Sequence, residues 1–165
     1  LERPDAATDA AVYLLGVGES SDAYHMSAPR PDGIGAVMSM SMALAAAGLR
    51  PEEIDYINLH GTATRIGDAA EDQAVVSIFG NATPCSSTKG YTGHTLGASG
   101  IVEAIIAALS IREGLLPGSP HTKTRDPELQ CNYITVSQPA RVRRVLSNSF
   151  GFGGSNASLI LGRGE

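Results

Sequence analysis

The sequence predicts a layered α/β domain, and three observations support that prediction. Short apolar segments alternate with longer helix-forming segments along the chain, and the last two apolar segments follow each other as a hairpin would. Two histidines, His60 and His94, each come after a predicted strand and before a predicted helix. Open α/β sheets place ligands and chemistry at such strand ends. The same feature that indicates the fold class therefore also indicates where a site should lie.

The predicted elements follow one another without a linker or an internal repeat. A first strand over residues 11–17 ends at Gly18, and a helix over 33–47 contains no proline and stops at Gly48. A helix over 68–79 has acids in its first turn, where they suit the positive end of the helix dipole. The other predicted elements are strands over 54–59, 83–87, 132–136, 144–148 and 157–161, and a helix over 97–112.

The predicted helix over 97–112 has mostly small side chains on part of its surface, because glycine and alanine occupy much of it. Ile101, Ile105 and Leu109 form an apolar stripe at helical spacing. The pattern favours a buried central helix packed closely against its neighbours. The alternative is an anion site at its N-terminus, but no lysine follows the glycines as in a nucleotide phosphate loop.

Composition narrows the class of protein. The 165 residues suit one domain, 42% of them are apolar, and no run approaches the roughly 18 apolar residues of a membrane span. A net charge of −5 argues against nucleic acid as the main partner. Two cysteines form no disulfide framework, and no secretory signal is visible, so a reducing cytoplasm is the expected location.

Three loops share a pattern of small hydroxyl residues, glycines and a functional side chain. His60 lies in the first loop, over 58–64, His94 in the second, over 87–94, and the third covers 148–156. Two imidazoles in matching settings indicate paired hydrogen-bond donors that face one small substrate. A metal site is the rival interpretation. Neither histidine has a second ligand at i+3 or i+4, and no HExxH or CxxC pair occurs, so we expect no metal.

These loops, together with residues 20–26, resemble the C-terminal half of a β-ketoacyl-(acyl-carrier-protein) synthase of the elongating, two-histidine type, in the thiolase-like superfamily. The matching residues occur in the order and at the spacing of that family and cover essentially the whole chain: Ser20–Met26, His60–Thr64 with Gly67, Asp68 and Glu71, Ser87–Lys89 with Thr92–His94, and Asn148–Asn156.

The resemblance implies one half of a thiolase-like fold, in which a five-stranded mixed sheet lies between helices in α/β/α layers. Residues 1–165 would form a single C-terminal ketosynthase domain. The nucleophilic cysteine of the family belongs to the N-terminal half, which is absent from this sequence, so the isolated chain should be inactive. The two halves would pack as one globule and the complete chains would form homodimers.

The resemblance also implies an acyltransferase. The full enzyme would catalyse decarboxylative Claisen condensation of a malonyl carrier with an acyl-enzyme, in fatty acid or polyketide-like synthesis. It would need no free cofactor, because the phosphopantetheine of an acyl carrier protein carries the substrate.

The family pattern assigns expected roles to individual residues. His60 and His94 would donate hydrogen bonds to the enolate oxygen, an oxyanion-hole role. Lys89 would be buried beside them and paired with either Glu71 or Glu103, since an unpaired buried charge is costly. Thr62 and Thr64 would hydrogen-bond the phosphopantetheine arm. Phe152 would gate the acyl pocket and use its backbone N–H, with Gly151 and the glycines after it permitting the tight turn.

Two other function classes stay open at this point. One is a non-catalytic, chain-length-determining partner subunit of the same fold, although both histidines, Lys89 and Phe152 are present here. The other is a carrier-binding module that uses an arginine group of Arg65, Arg141, Arg143 and Arg144. Arg65 is also a departure from the family pattern, in which proline is common at that position. Cys85 and Cys131 are expected to be buried structural residues rather than substitutes for the nucleophile.

Overall fold

The computed structural model describes residues 11–164 of the chain. Eight strands and four helices make up this part. The strands are β1 (Val12–Ser21), β2 (Tyr56–Asn58), β3 (Pro84–Ser86), β4 (Leu115–Leu116), β5 (Asn132–Tyr133), β6 (Gln138–Pro139), β7 (Arg144–Gly151) and β8 (Ser155–Arg163). The helices are α1 (Ile34–Ala47), α2 (Arg65–Phe79), α3 (Lys89–Thr92) and α4 (Ser99–Glu113).

A mixed sheet of six strands runs through the domain in the order β1-β8-β7-β2-β3-β5. The strands β1, β8 and β7 are antiparallel neighbours, and β7, β2, β3 and β5 are parallel. The predicted closing hairpin is therefore confirmed as β7–β8. The count of five strands implied by the resemblance is wrong, whereas the strand predicted over 132–136 is confirmed as the shorter β5, which pairs with the edge of β3. The buried Asp72 carboxylate accepts the backbone N–H groups of Gln130 and Cys131 just before β5.

The sheet separates two apolar clusters and so forms the middle of three layers. Leu146 belongs to the cluster shared with α1 and α2, whereas its neighbour Val145 belongs to the cluster shared with α4. Successive residues of a strand point to opposite faces. The predicted α/β/α layering is therefore confirmed.

Two glycines of β1 allow α1 to lie directly on the strand. A Cβ atom on Gly16 would come within 2.3 Å of the Ala43 carbonyl oxygen, and one on Gly18 within 1.9 Å of the Ser39 carbonyl oxygen. Larger side chains at these positions would push the helix away from the sheet. In the sequence, these two glycines stand among the apolar residues of the predicted first strand.

The prediction that the helix over 97–112 is buried holds for one face only. Glu103, Ala107, Ser110 and Ile111 are buried on the sheet side of α4, but the apolar stripe is exposed, at 63% for Ile101, 54% for Ile105 and 43% for Leu109. No element within residues 11–164 covers that stripe.

The methionines of α1 divide in the same way. Met40 is fully buried in the core, while about half of the Met38 and Met42 side chains is exposed. Within the described residues, none of the helices combines the length and the apolar character that a membrane crossing requires.

Candidate active site

The carboxyl ends of three parallel strands meet at one edge of the sheet and place the predicted site residues there. His60 follows β2, the loop with Lys89 and His94 follows β3, and Phe152 follows β7. The His60 and His94 rings have their centroids 5.4 Å apart and stand nearly perpendicular, at 85°. Two histidines 34 positions apart in sequence thus form one pair, as the matching loops predict.

The His60 ring is partly buried and lies near positive charge. It also contacts the Phe150 ring, with centroids 5.8 Å apart. Burial, followed by the nearby positive charge of Lys89, lowers the pKa of His60 to about 3. His60 is therefore neutral at physiological pH and can act as a hydrogen-bond donor, but it cannot store a proton as an imidazolium.

His94 has a local hydrogen bond that selects its tautomer. The backbone N–H of Leu96 donates to His94 Nδ1 at 3.4 Å, a long contact. A neutral imidazole that accepts at Nδ1 holds its proton on Nε2. His94 then presents an N–H donor, as an oxyanion-stabilising role requires.

Glu71 fixes the backbone of the first histidine loop. Its Oε1 accepts the His60 N–H at 2.9 Å, and its Oε2 accepts the Gly61 N–H at 2.8 Å. The Asn148 side-chain amide donates to Oε1 as well, at 3.1 Å. Burial raises the pKa of Glu71 to about 7, although all three donors oppose that shift.

Asn148 connects this carboxylate to the outer helix layer. Its Oδ1 accepts the Ser158 hydroxyl at 2.8 Å, and Ser158 lies 3.0 Å from the Ser39 hydroxyl on α1. The single Ser39 hydroxyl proton can be donated to Ser158, which completes the chain, or to the Ala36 carbonyl at 3.0 Å. All these polar side chains are buried, so the chain of hydrogen bonds rigidifies the site. Sequence reasoning placed Asn148 in a functional loop but did not identify this role.

Lys89 pairs with Glu103 and not with Glu71. The Lys89 ammonium donates to Glu103 Oε1, and the two side chains are only 7% and 2% exposed. Burial raises the pKa of Glu103, against the effect of Lys89. The pair joins α3 to the sheet side of α4, so it ties the His94 loop to the central helix.

A cavity of about 1170 Å³ contains both histidines. Thr62, Thr64 and Phe152 also line it, as do Arg65 and Leu96. The hydroxyls of Thr62 and Thr64 lie 3.1 Å from each other. The site residues expected from the resemblance thus share one space, apart from Lys89 and Glu103, which lie behind it.

The loop that bears Phe152 is open to solvent, and hydrogen bonds to Asp22 hold its base. The Phe152 side chain is 83% exposed. Its neighbour Gly154 has a φ of 79°, and a Cβ there would come within 2.8 Å of the Asp22 Cβ. The Asp22 N–H donates to the Gly154 carbonyl at 2.8 Å, and the Asn156 amide donates to the Asp22 carboxylate at 2.7 Å. Asp22, whose role was not predicted, fixes the base of this loop.

The cysteines and most of the arginine group lie away from the cavity. Cys85 and Cys131 are buried, free thiols, and the hydrogen bond between them together with burial raises the pKa of Cys85. Of the four arginines, Arg65 lines the cavity, whereas Arg141, Arg143 and Arg144 lie at the opposite end of β7. The four residues therefore do not form one surface.

Comparison with known proteins identifies the family. Residues 11–123 match the model of the β-ketoacyl synthase C-terminal domain. The mitochondrial 3-oxoacyl-[acyl-carrier-protein] synthase of Arabidopsis thaliana is 47% identical over 154 residues, which cover 89% of this chain and 33% of that protein.

Solved structures agree with this match. One chain in the complex of a ketosynthase with its chain length factor from Xenorhabdus doucetiae superposes with a TM-score of 0.89 at 53% identity, covering 93% of this chain and 39% of that one. A type II polyketide synthase acyl carrier protein in complex with its ketosynthase, bound to the hexaketide, gives 0.88 at 28%, covering 92% and 38%. The chain thus spans between a third and two fifths of the length of these relatives, and it belongs to the β-ketoacyl synthase family, of which it matches the C-terminal domain.

Proposed function

We propose that this chain is the C-terminal part of a 3-oxoacyl-(acyl-carrier-protein) synthase, in which His60 and His94 stabilise the enolate formed by decarboxylation. The observation that supports this most directly is the pair of imidazole rings, 5.4 Å apart on one cavity. The lowered pKa of His60 favours its neutral form, and the Leu96 N–H lies against Nδ1 of His94, which leaves Nε2 as the nitrogen that can donate.

The proposed step begins with a malonyl thioester in the cavity. The bond between its α-carbon and its carboxylate breaks, carbon dioxide leaves, and the electron pair becomes an enolate with charge on the thioester oxygen. Two N–H donors aimed at that oxygen stabilise the charge as it develops. The enolate carbon then attacks an acyl thioester on a cysteine in the N-terminal half of the enzyme, and the thiolate departs.

The other site residues support this step without touching the reacting bond. Glu71 and Asn148 hold the His60 loop in place, and the Lys89–Glu103 pair orients the His94 loop. Thr62 and Thr64 would bind the amides of a phosphopantetheine arm, so the substrate partner is an acyl carrier protein. Phe152 would gate the acyl pocket.

The wider assembly follows from the same proposal. The N-terminal half would cover the exposed stripe of α4, and two complete chains would pair as a homodimer. A cytoplasmic location stays a prediction, and two relatives are named as mitochondrial. No free cofactor is required by this chemistry.

The test uses the full-length protein that contains this chain. His60→Ala and His94→Ala should each lower malonyl decarboxylation by roughly 10²-fold or more, which is the usual cost of losing one oxyanion donor. Transfer of the acyl group to the cysteine should survive, because neither imidazole is the nucleophile. His121→Asn, at an exposed position where φ is 71°, is the matched control and should change neither reaction.

Two outcomes would contradict the proposal. Normal elongation by either histidine variant would remove the enolate-stabilising role. A wild-type protein that binds a ketosynthase partner but releases no carbon dioxide from malonyl carrier would instead be a chain-length-type subunit. One similar structure contains such a subunit.

A further inference from the structure

We propose that Arg65 is a specificity-determining residue that binds the phosphate of the phosphopantetheine arm at the entrance of the active-site cavity. This inference rests on the proposed function, and it concerns a position where the usual family residue is absent. Arg65 is the first residue of α2 and lies on the wall of the cavity that contains both histidines.

The residues along this wall become more exposed from His60 to Arg65. His60 and Thr62 are partly buried, whereas Thr64 and Arg65 are exposed. The Thr62 and Thr64 hydroxyls, 3.1 Å apart, lie between the imidazole and the guanidinium in the sequence. The cavity wall therefore offers an imidazole, two hydroxyls and, at an exposed position, a cation, which are the groups that the thioester, the amides and the phosphate of the arm need.

The arm is long enough to reach both ends of this segment. Arg65 lies five positions after His60, so their Cα atoms are at most about 18 Å apart at ~3.6 Å per residue, and the left-handed φ angles of Gly61 and Ala63 make the segment shorter than that limit. The arm has about thirteen bonds from sulfur to phosphorus and spans up to roughly 15 Å when extended at three bonds per residue length. A thioester beside His60 therefore leaves the phosphate within reach of the long Arg65 side chain.

Arg65 is also available to an anion. Two arginines line this cavity, and Arg30 is already paired with Asp32 at 2.9 Å. Among residues 11–164, no carboxylate forms an ion pair with Arg65. Its guanidinium can donate two parallel hydrogen bonds to a phosphate, a geometry that lysine cannot reproduce.

The arginines at the other end of the domain cannot take this role. Arg144 begins β7 and Gly151 ends it, so the two lie roughly 23 Å apart at about 3.3 Å per residue. Arg143, beside Arg144, is exposed and lines a separate cleft. It therefore supplies a control with the same chemistry away from the cavity.

The experiment measures binding of phosphopantetheine and of pantetheine, which lacks the phosphate, to the full-length protein by calorimetry. The wild type should bind phosphopantetheine more tightly. Arg65→Ala should weaken that binding about tenfold, as expected for a charge-assisted hydrogen bond, and leave pantetheine binding within about twofold. Arg65→Lys should restore part of the difference, and Arg143→Ala should behave as the wild type.

Equal weakening of both ligands by Arg65→Ala would overturn the inference, because it would show a structural effect without phosphate recognition. An unchanged phosphopantetheine affinity in Arg65→Ala would overturn it too. The readout is binding, so it does not depend on condensation. A protein that binds phosphate through Arg65 but does not decarboxylate malonyl carrier would sustain this inference while the proposed function fails.

Discussion

The carboxylate of Glu71 holds the backbone of His60 in place by accepting its N–H at 2.9 Å, and it holds the next residue, Gly61, by accepting its N–H at 2.8 Å. Because Glu71 is on α2 and His60 follows β2, this contact transfers the rigidity of a helix to the loop that bears the imidazole. The position of the His60 loop therefore depends on a carboxylate from a different element.

Glu71→Gln should disturb this arrangement although it keeps the shape of the side chain. A glutamine has one oxygen, so either the His60 or the Gly61 N–H would face an NH₂ group and remain buried without an acceptor. We expect the free energy of unfolding to fall by about 1–3 kcal/mol. Decarboxylation by the full-length protein should fall about tenfold, since small misplacement of a catalytic group is costly.

The control is Glu128→Gln, at an exposed glutamate, which should leave both quantities unchanged. Urea unfolding and carbon dioxide release measure the two effects. If Glu71→Gln behaved like this control, the carboxylate would have no part in positioning His60.

The sequence alone predicted the layered fold and brought His60 and His94 together, because both depend on local patterns. Apolar periodicity and glycine stops mark the elements, and parallel strands end at the same edge. The strand predicted over 132–136 is present, but only as the two-residue β5, and the sequence did not show how its start is held. The Asp72 carboxylate, about 60 residues earlier in the chain, accepts a backbone N–H just before β5.

The sequence alone also could not show which side chains pair with one another inside the site. Lys89 had two acidic candidates at helical positions, and only the packing of α4 on the sheet brings Glu103 to it while α2 directs Glu71 to the His60 loop. The roles of Asn148, Ser158 and Asp22 have the same origin. Their hydrogen bonds join residues that are distant in sequence, for which a single sequence contains no signal.

Lys89→Met should destabilise the protein strongly, because it leaves Glu103 as a buried charge without its partner. The cost of breaking such a pair is about 3–5 kcal/mol. The double variant Lys89→Met with Glu103→Leu removes both charges and should recover most of that loss, while decarboxylation stays low because the His94 loop has lost its tie to α4. Urea unfolding of the single and double variants distinguishes these effects. A single variant that costs less than about 1 kcal/mol would show that the pair is not buried in solution.

The pH dependence of stability should report the neutral state of His60. Its pKa falls from 6.5 to about 3 on folding. A lowered pKa stabilises the protein above pH 6.5, and this contribution is lost as the pH falls from 6.5 towards 3. His60→Gln should therefore flatten the acid limb of the unfolding free energy between pH 6.5 and pH 4.

Glu71 acts in the opposite direction over a pH range that overlaps that of His60. Its pKa rises from 4.5 to about 7, so its contribution is present below pH 4.5 and is lost as the pH rises to 7. Glu71→Gln should remove the Glu71 contribution to the unfolding free energy between pH 4.5 and pH 7 and leave the His60 contribution in place. Identical acid limbs for the wild type and His60→Gln would mean that His60 is not desolvated.

The exposed apolar stripe of α4 should cause the isolated chain to self-associate. Ile101, Ile105 and Leu109 expose 63%, 54% and 43% of their surface, although they occupy one face of a helix whose other face is in the core. Apolar patches of a few hundred Å² usually mark an interface. At high concentration the 165-residue chain should self-associate or bind a hydrophobic dye.

Ile101→Glu with Ile105→Glu should reduce both signals without loss of helix content. Ile111→Glu, at a buried position of the same helix, should unfold the domain instead. A monodisperse chain that does not bind the dye would show that this face needs no partner.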